Sequence, residues 1–233
     1  MLPNIVNHWP NNQHCILCHL QPAPEGICPA CRQDLPWLRL SCPRCALPRS
    51  LSSDAPCGHC QRRPPAYDRI QAACRYQFPI DQLISAIKYH RCVQYLPALS
   101  RLLAQRLVDS KPMPQLLVAV PMHSDKLYQR SYNQAWLLAR HLSRQLQIPL
   151  ANDLLCKVRP TAQQMGLSRV ERQRNLRGSF ALSRQQALPQ HVALIDDVMT
   201  TGTTMEEIAR LLKYHGVSRV EGWVIARTPD HPS

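Results

Sequence analysis

Two clusters in this chain have the residue types and spacing to do chemistry. The first is Val192-Ala193-Leu194-Ile195-Asp196-Asp197-Val198-Met199-Thr200-Thr201-Gly202-Thr203-Thr204. Two adjacent carboxylates precede a hydroxyl-rich turn with one glycine. Backbone N–H groups and threonine hydroxyls in such a turn suit a phosphate, and Gly202 lets the backbone approach it closely. Asp196 and Asp197 cannot ligate a phosphate themselves. They suit ribose hydroxyls, or a magnesium ion bridging to a pyrophosphate. The second cluster is four C-x-x-C pairs, Cys15/Cys18, Cys28/Cys31, Cys42/Cys45 and Cys57/Cys60. One such knuckle sets two thiolates on an edge of a tetrahedron, and two knuckles close a structural zinc site. Four knuckles therefore predict two zinc sites, each of four cysteines. Sequential pairing matches tandem zinc ribbons, and a crossed pairing is also consistent with the spacing. His14, His19 and His59 stand beside these ligands, as supporting neighbours or as substitutes for one of them. Disulfides would need an oxidising compartment, and a thioredoxin-like redox centre uses one C-x-x-C pair, not four.

The elements that must position the first cluster are legible around it. Val192–Ile195 reads as a fully buried strand that should end where the carboxylates begin. Met205–Leu212 continues as an amphipathic helix. The turn thus leads into a helix N-terminus, whose first N–H groups have no intrahelical partner. A simple N-capped helix after a buried strand would explain one Asp and one Thr, but not the whole run. In all thirteen positions the run resembles the signature of the type I phosphoribosyltransferases. The resemblance implies that Asp196 and Asp197, as the catalytic pair, hold the ribose 2′- and 3′-hydroxyls of phosphoribosyl pyrophosphate. It also implies that Thr200, Thr201, Gly202, Thr203 and Thr204 wrap the 5′-phosphate.

The rest of the larger domain supplies a frame. Tyr67–Tyr76 alternates as a strand, Pro79 opens a helix ending in Lys88-Tyr89-His90-Arg91, and Tyr95–Val108 is a second helix with leucines along one face. The basic aromatic end of the first helix suits either a stacked nucleic acid strand or the helix dipole. Gln115–Pro121 is a buried strand, and Met122–Gln134 should be a loop at its C-terminal end, the ligand edge of open parallel sheets. Lys126 and Arg130 in that loop are placed to meet a pyrophosphate. A helix follows through Ala135, Leu138, Ala139 and Leu142. Residues 154–158 form a short strand, His215-Gly216 ends the helix after the threonine loop, and Val217–Arg227 is the last strand. Cys74, Cys92 and Cys156 read as buried apolar fillers.

Val120-Pro121, Arg130-Ser131-Tyr132-Asn133-Gln134 and the paired knuckles together resemble the ComF/GntX family of bacterial proteins. That family joins an N-terminal zinc module to a phosphoribosyltransferase-like domain and usually carries Gly where Ser131 stands. Ser would be costly if the position needs a positive φ. Arg159, Thr161, Gln164, Leu167, Arg172, Asn175 and Phe180 match a further family pattern. It implies a hood over the site, which would exclude water from an oxocarbenium-like transition state. The implied fold is α/β, a type I phosphoribosyltransferase-like, mainly parallel sheet flanked by helices, with a small zinc-ribbon module. The expected division is a double zinc ribbon at 1–62 and the phosphoribosyltransferase-like domain at 66–233, with the hood at about 159–180. Gln61–Ala66, with two prolines, reads as a stiff linker.

Charge distribution narrows the partners. The net charge of the 233-residue chain is +13. Residues 1–60 hold four of its basic and three of its acidic side chains, so nearly all the excess lies in the larger domain. Such an excess suits polyanions such as nucleic acid, or anionic small substrates. Two zinc ions on eight thiolates make the ribbon module mildly acidic, which argues for docking or structural duty there. The chain has no run of about eighteen apolar residues, so no membrane span is expected. The first residues lack a basic and then apolar leader, so a cytoplasmic location with reduced thiols is expected.

Three functional readings follow. The chain is a magnesium-dependent phosphoribosyltransferase, a glycosyltransferase whose acceptor the sequence does not name. It is a DNA-handling factor that binds single strands, with the role in DNA uptake, competence or use of external DNA, and the uptake-machinery partners, that the resemblance implies. Or it senses phosphoribosyl pyrophosphate without chemistry. The first two are compatible and are favoured together. Glutamine amidotransferase activity is not expected, because residue 2 is Leu and the early cysteines have metal spacing.

Overall fold

The structure, a computed structural model, describes residues 14–108, 110–158, 178–183 and 187–229. The chain divides into two compact units, Met1–Leu35 and Pro36–Ser233. In the first, Cys15 and Cys18 lie on a tight turn in which His19 N–H donates to the Cys15 carbonyl. Cys28 precedes the one-turn helix α1 (Pro29–Gln33), and Pro29 suits a first helical position, where an N–H would be unpaired. The second unit begins with a similar ribbon. Its Cys42/Cys45 turn is followed by α2 (Gly58–Arg62), which starts directly after Cys57.

The eight knuckle thiols gather as the sequential pairing predicts. Cys15, Cys18, Cys28 and Cys31 form one group and Cys42, Cys45, Cys57 and Cys60 the other, with all sulfurs of a group within 4.8 Å of one another. Cys18 and Cys28 Sγ are 3.8 Å apart, and Cys45 and Cys57 Sγ 3.7 Å. A tetrahedral zinc with bonds of about 2.3 Å sets its sulfurs about 3.8 Å apart, so both groups fit the ion. The crossed pairing is ruled out and no knuckle cysteine is in a disulfide. Among the described residues no histidine joins either group. Burial opposes ionisation of Cys15 and Cys42. Backbone N–H groups aimed at the sulfurs outweigh it and bring these thiols down to about 6 and about 7. Ribbons this small bury little surface, so zinc, at about 10–16 kcal/mol for a structural site, would dominate their folding.

The body of the second unit is a parallel sheet in the order β1 (Arg69–Arg75), β7 (Arg219–Arg227), β6 (His191–Met199), β2 (Leu116–Ala119), β3 (Leu150–Ala151). Helices α3 (Ile80–His90), α4 (Leu96–Leu107), α5 (Ser124–Arg130), α6 (Gln134–Leu146) and α7 (Thr203–Tyr214) connect or flank these strands. Consecutive side chains of β6 point to opposite faces. Val192, Ala193, Leu194 and Ile195 are all fully buried, so both faces are covered. Val192 and Leu194 join Val220 and Val224 in one apolar cluster with Ile208, Ala209 and Leu212 of α7. Helices α4 and α6 pack on each other and on the sheet. Cys74 is fully buried as expected, whereas Cys92 and Cys156 are only partly so.

The second ribbon shares this core. Leu38, Cys42, Cys45 and Cys60 belong to the same cluster as Ile70, Met205 and Val224. Leu38 N–H donates to the Ala73 carbonyl and Arg75 N–H to the Pro36 carbonyl, and Ile70 N–H donates to the Arg44 carbonyl at 2.7 Å. The stretch at 61–66 is held at its far end. Arg44 donates to the Pro65 carbonyl, and Ala66 N–H donates to Glu206 Oε2 at 2.7 Å.

Two local expectations change. Strand β6 does not stop before the acids but runs through Asp196 and Asp197 to Met199, because β7 beside it stays paired as far as Arg227. The expected loop at 122–134 contains α5. Its N-terminus is capped by His123, whose Nδ1 accepts from Asp125 N–H, and Arg130 complements the dipole in the last turn. Ser131 terminates α5 with φ +66°, the left-handed conformation that a glycine adopts freely. That conformation costs a non-glycine residue about 1–2 kcal/mol. Asn133 offsets much of the cost. Its Oδ1 caps α6 by accepting from Ala135 and Trp136 N–H, worth about 1 kcal/mol. Its Nδ2 donates to the Val120 carbonyl at the end of β2. The pattern match for the hood at 159–177 lies outside the described residues. Its flanks β4 (Leu155–Lys157) and β5 (Phe180–Leu182) pair antiparallel. Among the described residues no helix is long and apolar enough to cross a membrane.

Elemental analysis of the purified chain should find two zinc ions, and Cys31→Ser or Cys57→Ser should each lower this to one; an unchanged count would refute the assignment of these thiols. Ser131→Gly should raise stability by roughly 0.5–1 kcal/mol, seen as a higher urea midpoint at unchanged slope. A lower midpoint would contradict the left-handed strain.

Candidate functional site

The carboxyl ends of β2 and β6 open on a cleft of about 640 Å³. The expected site residues other than the zinc ligands all line it: Asp196, Asp197, Thr200, Thr201, Gly202, Thr203, Thr204, Lys126 and Arg130. Parallel strands deliver this convergence, because all their C-terminal ends, and the loops that leave them, lie on one edge of the sheet.

At the end of β6 the acids alternate in direction. Asp197 is 5 % exposed and its Oδ2 lies 2.5 Å from the Lys88 ammonium of α3. Asp196 Oδ1 accepts from Asp197 N–H at 2.8 Å. Burial, and then the neighbouring Asp197 carboxylate, raise Asp196 well above the usual carboxylate range, with Lys88 pulling the other way. For Lys88, burial acts to lower the pKa, but the charge of Asp197 and its hydrogen bond prevail and hold it above its ordinary value.

Past Met199 the chain turns into α7 through Gly202, at φ +79°. A Cβ there would sit 2.4 Å from Met199 Cε, a flexible side-chain end that could shift, so it is the left-handed backbone angle that favours glycine. The N-cap of α7 is Gly202, which has no side chain to cap the helix, so its first turn presents backbone N–H groups of the kind that meet an anion. Thr201 and Thr203 hydroxyls are 2.9 Å apart.

Facing this turn, Lys126 and Arg130 project from α5. The Arg130 guanidinium lies 5.4 Å from the Tyr89 ring centroid, and its Nη1 donates to Gln134 Oε1 at 3.4 Å. Lys157 of β4 also lines the cleft. Its pKa is lowered by burial and by the charge of Lys126. Lys126, Arg130 and Lys157 therefore share the cleft lining with the two acids, and Lys88 is paired directly with Asp197.

Sequence reasoning missed Lys88 and Lys157 as members of this site. Lys88 lies in the last turn of its helix, where a cation is expected for the dipole alone, so nothing local marked it. Lys157 sits in a three-residue strand beside the polar segment at 159–177. Reasoning also missed Arg227, which is 3 % exposed and donates to the Met199 and Thr200 carbonyls below the turn. It reads from sequence only as the last residue of a strand.

Two family matches agree with this architecture. Residues 133–232 match the phosphoribosyl transferase domain and residues 9–61 the double zinc ribbon domain. Adenine phosphoribosyltransferase from Leishmania tarentolae aligns at 17 % identity over 61 % of this chain and 59 % of its own, with a TM-score of 0.36. The purine phosphoribosyltransferase from Pyrococcus horikoshii aligns at 17 % over 60 % and 92 %, with the same TM-score. DNA utilization protein YhgH of Escherichia coli K12 is 35 % identical over 92 % of this chain and 96 % of its own. Competence protein F of Haemophilus influenzae is 33 % identical over 93 % and 97 %. With its two domains matched in order and nearly the full length of these relatives aligned, the chain belongs to the ComF/GntX family, in which a double zinc ribbon precedes a phosphoribosyltransferase domain.

Proposed function

We propose that the cleft binds phosphoribosyl pyrophosphate together with magnesium. The observation that carries this reading is the convergence of an acid pair, an uncapped helix N-terminus and three further cations on one cleft of about 640 Å³. In this reading the Thr200–Thr204 turn and the first N–H groups of α7 hold the 5′-phosphate. Asp196 and Asp197 hold the ribose hydroxyls, and Lys126 and Arg130 meet the pyrophosphate. The donor set suits magnesium, which is bound by one or two carboxylates plus substrate phosphates. Asp196 stays partly exposed at the cleft while Asp197 is engaged by Lys88. When bound, the ion would neutralise charge on the pyrophosphate.

If transfer occurs, the C1′–oxygen bond to pyrophosphate breaks as an acceptor attacks, and the chain contributes position and electrostatics. Lys126 and Arg130 would stabilise the departing charge. Release of pyrophosphate on adding candidate acceptors separates transfer from sensing.

The names of the two relatives, a DNA utilization protein and a competence protein, support placing this binding in the use of external DNA. The basic excess of the larger domain favours a second activity, single-strand DNA binding. Tyr89, His90 and Arg91 are exposed at the end of α3, whereas Lys88 is taken up by Asp197.

Calorimetry with phosphoribosyl pyrophosphate and Mg²⁺ should show one site per chain. Asp196→Asn or Asp197→Asn should weaken it by about tenfold or more, the loss of one or two hydrogen bonds to a charged group. Absence of binding by the native chain would overturn the reading. Single-strand DNA affinity, followed by anisotropy, should fall with salt at a log–log slope of about −0.7 for each phosphate contacted; a flat profile would dismiss the DNA activity.

A further inference from the structure

We infer that Arg227 is a positioning residue of the Thr200–Thr204 turn, and that through it the second four-cysteine metal site sets the shape of the cleft. Arg227 is buried at the end of β7, and no carboxylate pairs with it among the described residues. Its charge is met by carbonyls instead. Nε donates to the Cys45 carbonyl at 3.1 Å. Nη1 donates to the Thr200 carbonyl at 2.6 Å, the Thr228 carbonyl at 2.6 Å and the Met199 carbonyl at 3.3 Å. One rigid guanidinium thus joins a cysteine of the metal group to the first residues of the turn.

A fixed carbonyl fixes the next N–H, because a trans peptide is planar with the two groups opposed. Holding the Thr200 carbonyl against Arg227 therefore turns the Thr201 N–H away from it. The Met199 carbonyl is held from a second side by Thr228 N–H at 3.1 Å.

One close approach and one hydrogen bond join the same parts. Tyr67, buried in the cluster that holds Cys45 and Cys60, has its hydroxyl 3.4 Å from where a Gly202 Cβ would lie. Ala66 N–H donates to Glu206 in the first turn of α7. Glycine leaves this turn free to adopt other backbone angles, and it is braced from the end of β7 and from the ribbon side. The Cys45 carbonyl keeps its place only while the knuckle does, and the knuckle is closed by metal. Cys57 is only partly buried, so the group is open to chelators and thiol reagents from outside.

The link to ligand affinity rests on the phosphate reading of the turn, but the positioning itself does not. Hydrogen exchange on the full chain tests it. Amides at 200–206 should exchange about tenfold or more faster in Arg227→Lys, which keeps the charge but loses the fork. Cys57→Ser, shown by elemental analysis to lack one zinc, should do the same, while amides of α4 stay as protected as in the native chain. Native chain stripped by a chelator should show the same loss, and zinc should restore it. Ribose 5-phosphate binding, by calorimetry, should weaken in parallel in all three. Unchanged exchange at 200–206 would overturn the inference, as would equal acceleration in α4 or an equal effect from Cys31→Ser in the first ribbon. If the native chain binds no ribose 5-phosphate, the phosphate reading fails and the exchange result still decides the role of Arg227.

Discussion

Two carboxylates at the end of a strand covered on both faces need compensation, and the Lys88–Asp197 ion pair provides it. Asp197 is buried and the Lys88 side chain 21 % exposed, so removing one partner costs at most about the 3–5 kcal/mol of a fully buried pair, whose remaining charge is left without a partner. The pair therefore ties the end of α3 to the end of β6, and so holds Tyr89 beside Arg130. A second buried acid shows the contrast. Glu221, fully buried in β7, accepts from Arg219 at 2.6 Å and from Trp223 Nε1 at 3.0 Å, with His191 and Gln71 within 3.4 Å. Its acceptors are used up within the fold. Asp196 keeps most of its own, accepting only from Asp197 N–H among the described residues. One acid is saturated and structural, and the other is left with capacity for a ligand.

The second ribbon has a different relation to the sheet than its sequence suggests. Its cysteines take part in the apolar cluster beneath α7, and its knuckle carbonyls receive hydrogen bonds from β1 and β7. A metal-closed loop is stiff, so it serves as a wall against which a glycine turn can be held. The first ribbon satisfies the same tetrahedral geometry within its own unit.

Much was readable because it depends on local chemistry. Ligand identity follows from knuckle spacing, whereas the pairing came only with the structure, because the spacing also suits a crossed arrangement. The acid pair, the threonine turn and Gly202 were readable because they stand together in one short segment. The cost at Ser131 followed from the φ expected of a glycine position, and the structure places φ at +66° there. The cap at His123 and the short helix behind it were not readable, because a seven-residue helix carries too little periodicity to separate it from a loop.

The sequence by itself determined which atoms are available: eight thiols for metal, two carboxylates, a hydroxyl turn, a strand to carry them and a helix to follow. Only the tertiary structure decided which distant groups serve them. Lys88, Lys157 and Arg227 are ordinary cations in their own segments, and their places come from the packing of helix α3, strand β4 and strand β7 around the end of β6. Packing brings residues 88, 126, 157, 197 and 202 to one cleft, and sets residues 45, 200 and 227 around a single guanidinium. Such contacts leave no periodicity or spacing in the chain, because they are fixed by packing between elements far apart in sequence.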